Sequence, residues 1–320
     1  MEYECPLTVI VPCFNVEDYI EKNIESLLAQ DLDGAEYLFV NDGSTDGTRD
    51  IILQYMQQYP NIRLVEQENG GLGAARNTGI KNSRGKYIIF LDSDDYIEPN
   101  CLKYITDVAI ENRLDMLYLG HKAVDEEGKI LGTTIAPDSE GVVKGTAWLM
   151  SSKADPASCF YLYSGEFLRN LDFGFMGRVY HEDMDFTIHA LYRAERVMSV
   201  NYNFYYYLLR EGSISQHFST KRITDYYEVA NRVDSWVKEE VDSETYEGYF
   251  CEYLAFLYSH VMNMCVQNDV SFTDLFDKNA AKVISQHMLA AKAFKHRIFG
   301  LLLKLRLFRA YSFLYKLAKG

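Results

Sequence analysis

A chain of 320 residues holds one large domain or two small ones, and its 48% hydrophobic and 24% charged content is that of an ordinary globular protein. Six scattered cysteines with no CxxC pair argue against a zinc site or a disulfide framework and suit a reducing cytoplasm. The net charge of −14 is uneven: after Asp277 there are ten Lys and Arg and no Asp or Glu, so the preceding part carries −24. An acidic body repels phosphate backbones, which discounts nucleic acid as a partner. The acidic start of the chain runs straight into a strand pattern, so no signal peptide is expected.

Leu7 to Val11 is a β-branched apolar run that reads as a first strand, ended by Pro12. Asn15 or Asp18 can cap a helix over 17–30, where Ile20, Ile24, Leu27 and Leu28 share one face. A second strand over 37–40 ends in the polar run Asn41 to Gly47, and a helix over 48–59 leads to a third strand, 62–66. Next comes the glycine-rich segment Glu68 to Asn77, which suits a backbone that approaches a ligand or turns with positive φ. A helix through about Ser83 leads into Tyr87–Leu91, five large apolar residues that run into Asp92-Ser93-Asp94-Asp95. If the chain is still extended there, Asp92 and Asp94 point the same way. Close like charges raise each other's pKa unless a cation lies between them, and a hard divalent ion fits such a pair.

Strand and helix thus alternate over the first hundred residues, the pattern of a doubly wound, mostly parallel α/β sheet. Ligands bind such sheets at the carboxyl ends of the strands. Each polar cluster, Pro12–Asn15, Asn41–Asp46, Glu68–Arg76 and Asp92–Asp95, falls at one of those ends. The G-x-G-x-x-G fingerprint is missing after the first strand, which argues against a dinucleotide enzyme. Further on, strands are expected over 115–121 and 159–163, a turn at 125–128 and a short helix over 144–152. The run Tyr180 to Phe186 opens a helix to about Arg193, an aromatic strand covers 197–209, and a polar loop covers 210–217. Only helices are read from about Thr220 onward, which divides the chain into 1–218 and a helical region 219–320.

Taken together, these stretches resemble glycosyltransferase family 2, inverting, metal-dependent sugar transferases of the GT-A fold. The matching segments are Val9–Asn15, Val40–Gly47, Asn69–Asn77, Leu91–Asp95 and Glu182-Asp183, over about 7–217. The resemblance implies that Pro12 and Asp42 line the nucleotide pocket, Asp42 accepting from the uracil ring. Asn69 and Arg76 would complete the nucleoside and phosphate contacts. Asp92, with Ser93 beside it in the donor set, would hold the ribose or sugar side. Asp94, with Asp92, would bind Mn²⁺ or Mg²⁺ bridging the diphosphate. The loop from Arg210 resembles a segment that closes over the diphosphate, with Arg210 on phosphate and His217 completing the metal shell.

The reaction needs a general base for the incoming hydroxyl. Asp183 is the candidate, at a helix start whose dipole keeps a carboxylate ionised. Glu182 and Asp185 are the alternatives, and a lone His such as His181 is more often structural. The reading is therefore a metal-dependent glycosyltransferase that moves a hexose or N-acetylhexosamine from a UDP-sugar to a glycan or lipid-linked acceptor, as in surface polysaccharide biosynthesis. A nucleotidyltransferase and a non-catalytic binding module on the same fold are the competing readings. The basic tail, 294–317, mixes Phe, Leu and Lys or Arg without an uncharged run of the ~20 residues that span a bilayer. It suits a helix lying on anionic membrane, which would place the protein at the inner face of the membrane. The other reading of the tail is a packed terminal helix, as in a homo-oligomer contact.

Overall fold

The computed structural model describes residues 3–151, 154–210 and 218–319, and the chain divides into two compact units. The first comprises 1–178 and 182–213, the second 179–181 and 214–320. In the first, β1 (Cys5–Cys13), β2 (Glu36–Asn41), β3 (Ile62–Glu66) and β4 (Gly85–Phe90) form a parallel block in the order β3-β2-β1-β4. All of β2 and residues Leu7 to Cys13 of β1 are buried, as expected of parallel strands covered on both faces. Beyond β4 the sheet is mixed. It contains β5 (Tyr96–Ile97), β6 (Met116–Val124), β7 (Ile130–Thr134), β8 (Tyr161–Ser164) and β9 (Val197–Leu208). Strand β8 runs antiparallel between β4 and β6, β9 lies parallel to β6, and β7 closes a hairpin on β6.

The helices of this unit are α1 (Ile20–Leu28), α2 (Thr48–Met56), α3 (Leu72–Asn82), α4 (Leu102–Asn112), α5 (Gly145–Met150), α6 (Gly165–Asn170) and α7 (Glu182–Arg193). Helix α3 lies close on β1 because Gly79 has no side chain: a Cβ there would come within 2.3 Å of Ile10 Cγ2. Aromatic rings fill the space beside β4, where Phe175 stacks on Phe186 at 3.7 Å and meets Phe90 edge-on.

Several local expectations change. Strand β1 passes through Pro12 to Cys13, because its ladder with β4 stops at Ile10 and the missing N–H falls past it. Helix α1 begins at Ile20, without a side-chain cap. Asn15 Oδ1 instead accepts from Thr45 N (2.8 Å) and Glu17 Oε2 from Gly47 N (2.6 Å), tying the exits of β1 and β2 together. Strand β4 stops at Phe90, and Asp92 to Asp95 form a turn closed by Asp95 N donating to Asp92 O at 3.0 Å. The condition of an extended chain through Asp92 and Asp94 is therefore not met, although both remain half-buried while Ser93 and Asp95 are buried.

The second unit holds α8 (Thr220–Glu240), α9 (Ser243–Thr245), α10 (Cys251–Gln267), α11 (Phe272–Leu275), α12 (Lys278–Ala290), α13 (Phe294–Lys304) and α14 (Phe308–Lys319), and no strand among the described residues. Its core is built from Val229, Val233, Leu254, Leu257, Tyr258 and Ile284. Asp277 caps α12 by accepting from Asn279 N and Ala280 N, both at 2.9 Å. Among the described residues no helix is long and apolar enough to cross a membrane. All six cysteines are free; Cys5 is half-buried and the other five are buried.

Candidate active site

Side chains from the ends of β1, β2 and β4 and from the starts of α3 and α7 make up the acidic centre. Just past the end of β2, Asp42 is 3% exposed. Its Oδ1 accepts from Gln67 Nε2 and Gly70 N, both at 2.7 Å, and its Oδ2 from Gly71 N at 2.8 Å. A carboxylate has about four acceptor positions, so this one is largely occupied in shaping the glycine loop. Gly71, at φ +85, is the N-cap of α3, a conformation that L side chains rarely adopt. Asn69 is exposed and donates its Nδ2 to Asp42 O at 3.1 Å. Pro12 is buried in β1, in register with Val40.

Arg76, on α3, lies between two carboxylates and is 2% exposed. Its Nη2 donates to Asp92 Oδ1 at 2.8 Å and its Nη1 to Glu182 Oε1 at 2.5 Å. Burial alone would lower the guanidinium's pKa, but Asp92, Glu182 and Asp183 outweigh it and hold the group charged. Glu182 is buried and held by Arg76, and Asp185 is fully buried. Asp183 is the half-buried carboxylate of the three, and no other side chain among the described residues donates to it. Burial, then the charge of Glu182, raises its pKa; Arg76 opposes this and Asp92 adds to it. The dipole of α7 was expected to keep Asp183 ionised, but burial beside two acids overrides that dipole. His181 sits at φ 67, and burial lowers its pKa to about 4, so it is neutral near pH 7.

Asp94 has a different partner. Arg210, two residues past β9, donates to Asp94 Oδ2 from Nε (3.0 Å) and Nη2 (2.9 Å) and lies 4.3 Å over the ring of Tyr19. Burial and then the neighbouring Asp92 raise the pKa of Asp94, and Arg210 lowers it. His217 and the rest of the loop 211–217 lie outside the described residues.

Some contributors were not legible beforehand. Asn23, fully buried on α1, donates to Asp92 O (3.1 Å) and Asp95 O (2.9 Å) and so holds the turn. The signal was present: a polar residue set within the apolar face of Ile20, Ile24 and Leu27. Asp95 is buried and accepts from Tyr205 Oη (2.5 Å) and Leu208 N (2.7 Å), while Tyr205 Oη accepts from Asp92 N at 3.2 Å. The Asp turn and the end of β9 are thereby joined.

Among the described residues no group of three or more His, Cys, Asp or Glu could by itself hold a metal. Two half-buried carboxylates at a strand end are an oxygen-only donor set. That set suits Mg²⁺ or Mn²⁺, ions that take one or two carboxylates and complete their shell with water and substrate phosphate.

With this geometry in view, the comparisons with known proteins agree. The model of the family described as "Glycosyl transferase family 2" matches residues 8–168, and the chain belongs to that family. It is 33% identical to the uncharacterized glycosyltransferase EpsJ of Bacillus subtilis (strain 168), over 66% of this chain and 63% of that protein. It is 30% identical to the poly(ribitol-phosphate) beta-glucosyltransferase of Bacillus spizizenii, over 64% of this chain and 33% of that protein. The match thus spans less than two thirds of the length of these relatives. The crystal structure of Staphylococcus aureus TarS 1-349 in complex with UDP-GlcNAc shares the fold, with a TM-score of 0.77 at 22% identity over 98% of this chain and 91% of that one.

Proposed function

We propose that the chain is an inverting glycosyltransferase that moves a hexosyl or N-acetylhexosaminyl group from a UDP-sugar to a hydroxyl of a glycan or lipid-linked acceptor in surface polysaccharide biosynthesis. The observation that carries this is Asp183. It is a half-buried carboxylate with raised proton affinity and, among the described residues, no competing side-chain donor, set beside the Asp92–Arg76–Glu182 chain. A general base works best when its pKa approaches the working pH. As the acceptor oxygen bonds to the anomeric carbon and the bond to the diphosphate breaks, the hydroxyl proton passes to Asp183. Negative charge grows on the departing phosphate. A Mn²⁺ or Mg²⁺ ion held by Asp94 and Asp92, with His217 as a further ligand, would neutralise that charge.

Arg210 brings a second positive group to the same place, since a guanidinium pairs with phosphate as it does with Asp94 here. Pro12, Asp42, Asn69 and Ser93 would complete the donor pocket, and the UDP-GlcNAc bound by the similarly folded TarS supports a UDP-sugar. Arg76, held between Asp92 and Glu182, would order the centre and reach phosphate through it. The chain would work in the cytoplasm at the inner face of the membrane, held to anionic lipid through 294–317.

The test is turnover of a panel of UDP-sugars to UDP with Mn²⁺, with and without EDTA, for the wild type, Asp94→Ala and Asp183→Asn. The wild type and Asp183→Asn should bind donor alike, with turnover of Asp183→Asn lower by roughly 10²–10⁴-fold. Asp94→Ala should lose the metal-dependent reaction and bind donor more weakly; full activity of this variant in EDTA overturns the metal site. Release of pyrophosphate from a nucleoside triphosphate and a sugar phosphate would favour nucleotidyl transfer. No product from any nucleotide would favour a binding module.

A further inference from the structure

Helices α13 and α14 each carry two apolar faces, and one face on each is bare. On α13 the packed side is His296, Gly300 and Leu303, all buried, with Gly300 so close to α12 that a Cβ would meet Met288 Cβ at 2.9 Å. On the other side Phe294, Ile298, Leu301 and the C-cap Leu305 are 73%, 38%, 49% and 58% exposed. Their spacing of four, three and four residues puts them within about 60° of one another around the helix. Helix α14 repeats the plan. Tyr311 and Tyr315 are buried and anchored, Tyr311 Oη donating to Asn263 Oδ1 (3.0 Å) and Gln267 Nε2 to Tyr315 Oη (2.6 Å). Phe313 and Leu317, on the opposite side, are 63% and 61% exposed.

Basic residues flank both bare stripes. Lys295, Arg297, Lys304, Arg306 and Arg309 are exposed and form no ion pair among the described residues, and no acid follows Asp277 in the chain. An apolar stripe flanked by unpaired positive charge fits one kind of partner, and the one paired cation beside it among the described residues, Lys316 on α14, meets Asp269 at 3.2 Å. Apolar side chains enter the acyl boundary of a bilayer while Lys and Arg meet anionic headgroups. A second copy of this surface would instead bring like charges together.

We propose that α13 and α14 are a preformed docking face for an anionic lipid bilayer. The proposal rests on the membrane-side reading above and deepens it. Packing against the unit and docking on lipid are not alternatives, because opposite sides of the same helices do the two jobs. Lipid binding therefore needs no coil-to-helix transition.

The experiment uses the full chain in co-sedimentation with vesicles of phosphatidylcholine alone or with phosphatidylglycerol, at low and high salt, beside circular dichroism and donor turnover in solution. Two variants replace exposed side chains and leave the packed face intact: Leu301→Ser with Leu305→Ser and Phe313→Ser, and Lys304→Glu with Arg306→Glu and Arg309→Glu. The wild type should partition to phosphatidylglycerol vesicles at least ~10-fold more than to neutral ones, each variant should lose at least ~10-fold of that binding, and helix content should not change on binding. The proposal is overturned if the wild type stays in the supernatant with anionic vesicles at low salt, or if helix content rises on binding. It is also overturned if the wild type is a dimer that the serine variant dissolves. Donor turnover in solution should be the same for all three proteins. A wild type that turns over donor but does not bind anionic vesicles would sink this inference alone, and a wild type that binds them without turnover would sink the enzymatic reading alone.

Discussion

Arg76 and Arg210 each answer one carboxylate of the same Asp turn, yet in different surroundings. The side chain of Arg76 is 3% exposed and bridges Asp92 to Glu182, whereas Arg210 and Asp94 are 17% and 25% exposed and paired only across one edge. A buried cation between acids cannot be withdrawn without stranding their charges, while a half-exposed pair can exchange its partner for water or ligand. The difference suggests a division of labour. The Arg76 bridge is part of the frame, and the Asp94–Arg210 pair is the part that can be remade when phosphate arrives.

The comparison breaks first at Arg76. Arg76→Ala should cost about 3–5 kcal/mol of stability at neutral pH, the usual result of removing one partner from a buried ion pair, read as the shift in urea unfolding. A loss below 1 kcal/mol would put Arg76 in the same class as Arg210.

Glu182→Gln sharpens it with a smaller effect. A carboxylate whose folded pKa is raised costs stability as pH rises from its ordinary value through the raised one, and it gains activity as a base over that same rise. Removing the Glu182 charge lowers the pKa of Asp183. The acid limb of the kcat profile should therefore move to lower pH, with kcat at the optimum changed by less than about tenfold. An unmoved limb would mean that Asp183 is not the titrating group. The smallest effect is expected of Arg210→Ala, which should change stability by no more than about 1 kcal/mol while weakening donor binding. A loss as large as that of Arg76→Ala would erase the distinction between the two pairs.

How much of this was legible in the sequence follows from its physics. The parallel block could be read because β1, β2 and β4 are largely apolar runs that end in polar residues, and β3, although it carries Arg63, matches its expected span over 62–66. Short elements were missed where that contrast fails. Strand β7 has five exposed residues with no alternation, β5 has two residues, and α6 has only six, capped by Ser164. Whether the chain stays extended through Asp92 and Asp94 was open, because an apolar run does not show where the chain leaves the ladder. Side-chain roles came largely from the family resemblance. Partnerships did not, because Arg76 is 106 residues from Glu182 and Arg210 is 116 from Asp94, and spacing carries no information over such separations.

The free cysteines have a practical consequence. Only Cys5 is not buried, and burial pushes up the pKa of the Cys5, Cys101, Cys251 and Cys265 thiols, so the nucleophilic thiolate is scarce at neutral pH. A soluble alkylating reagent should therefore modify Cys5 first and leave the rest until the chain opens. Cys101 and Cys159 belong to the sheet unit, Cys251 and Cys265 to the helical one, so peptide-resolved alkylation would time the opening of each half separately with no engineered label.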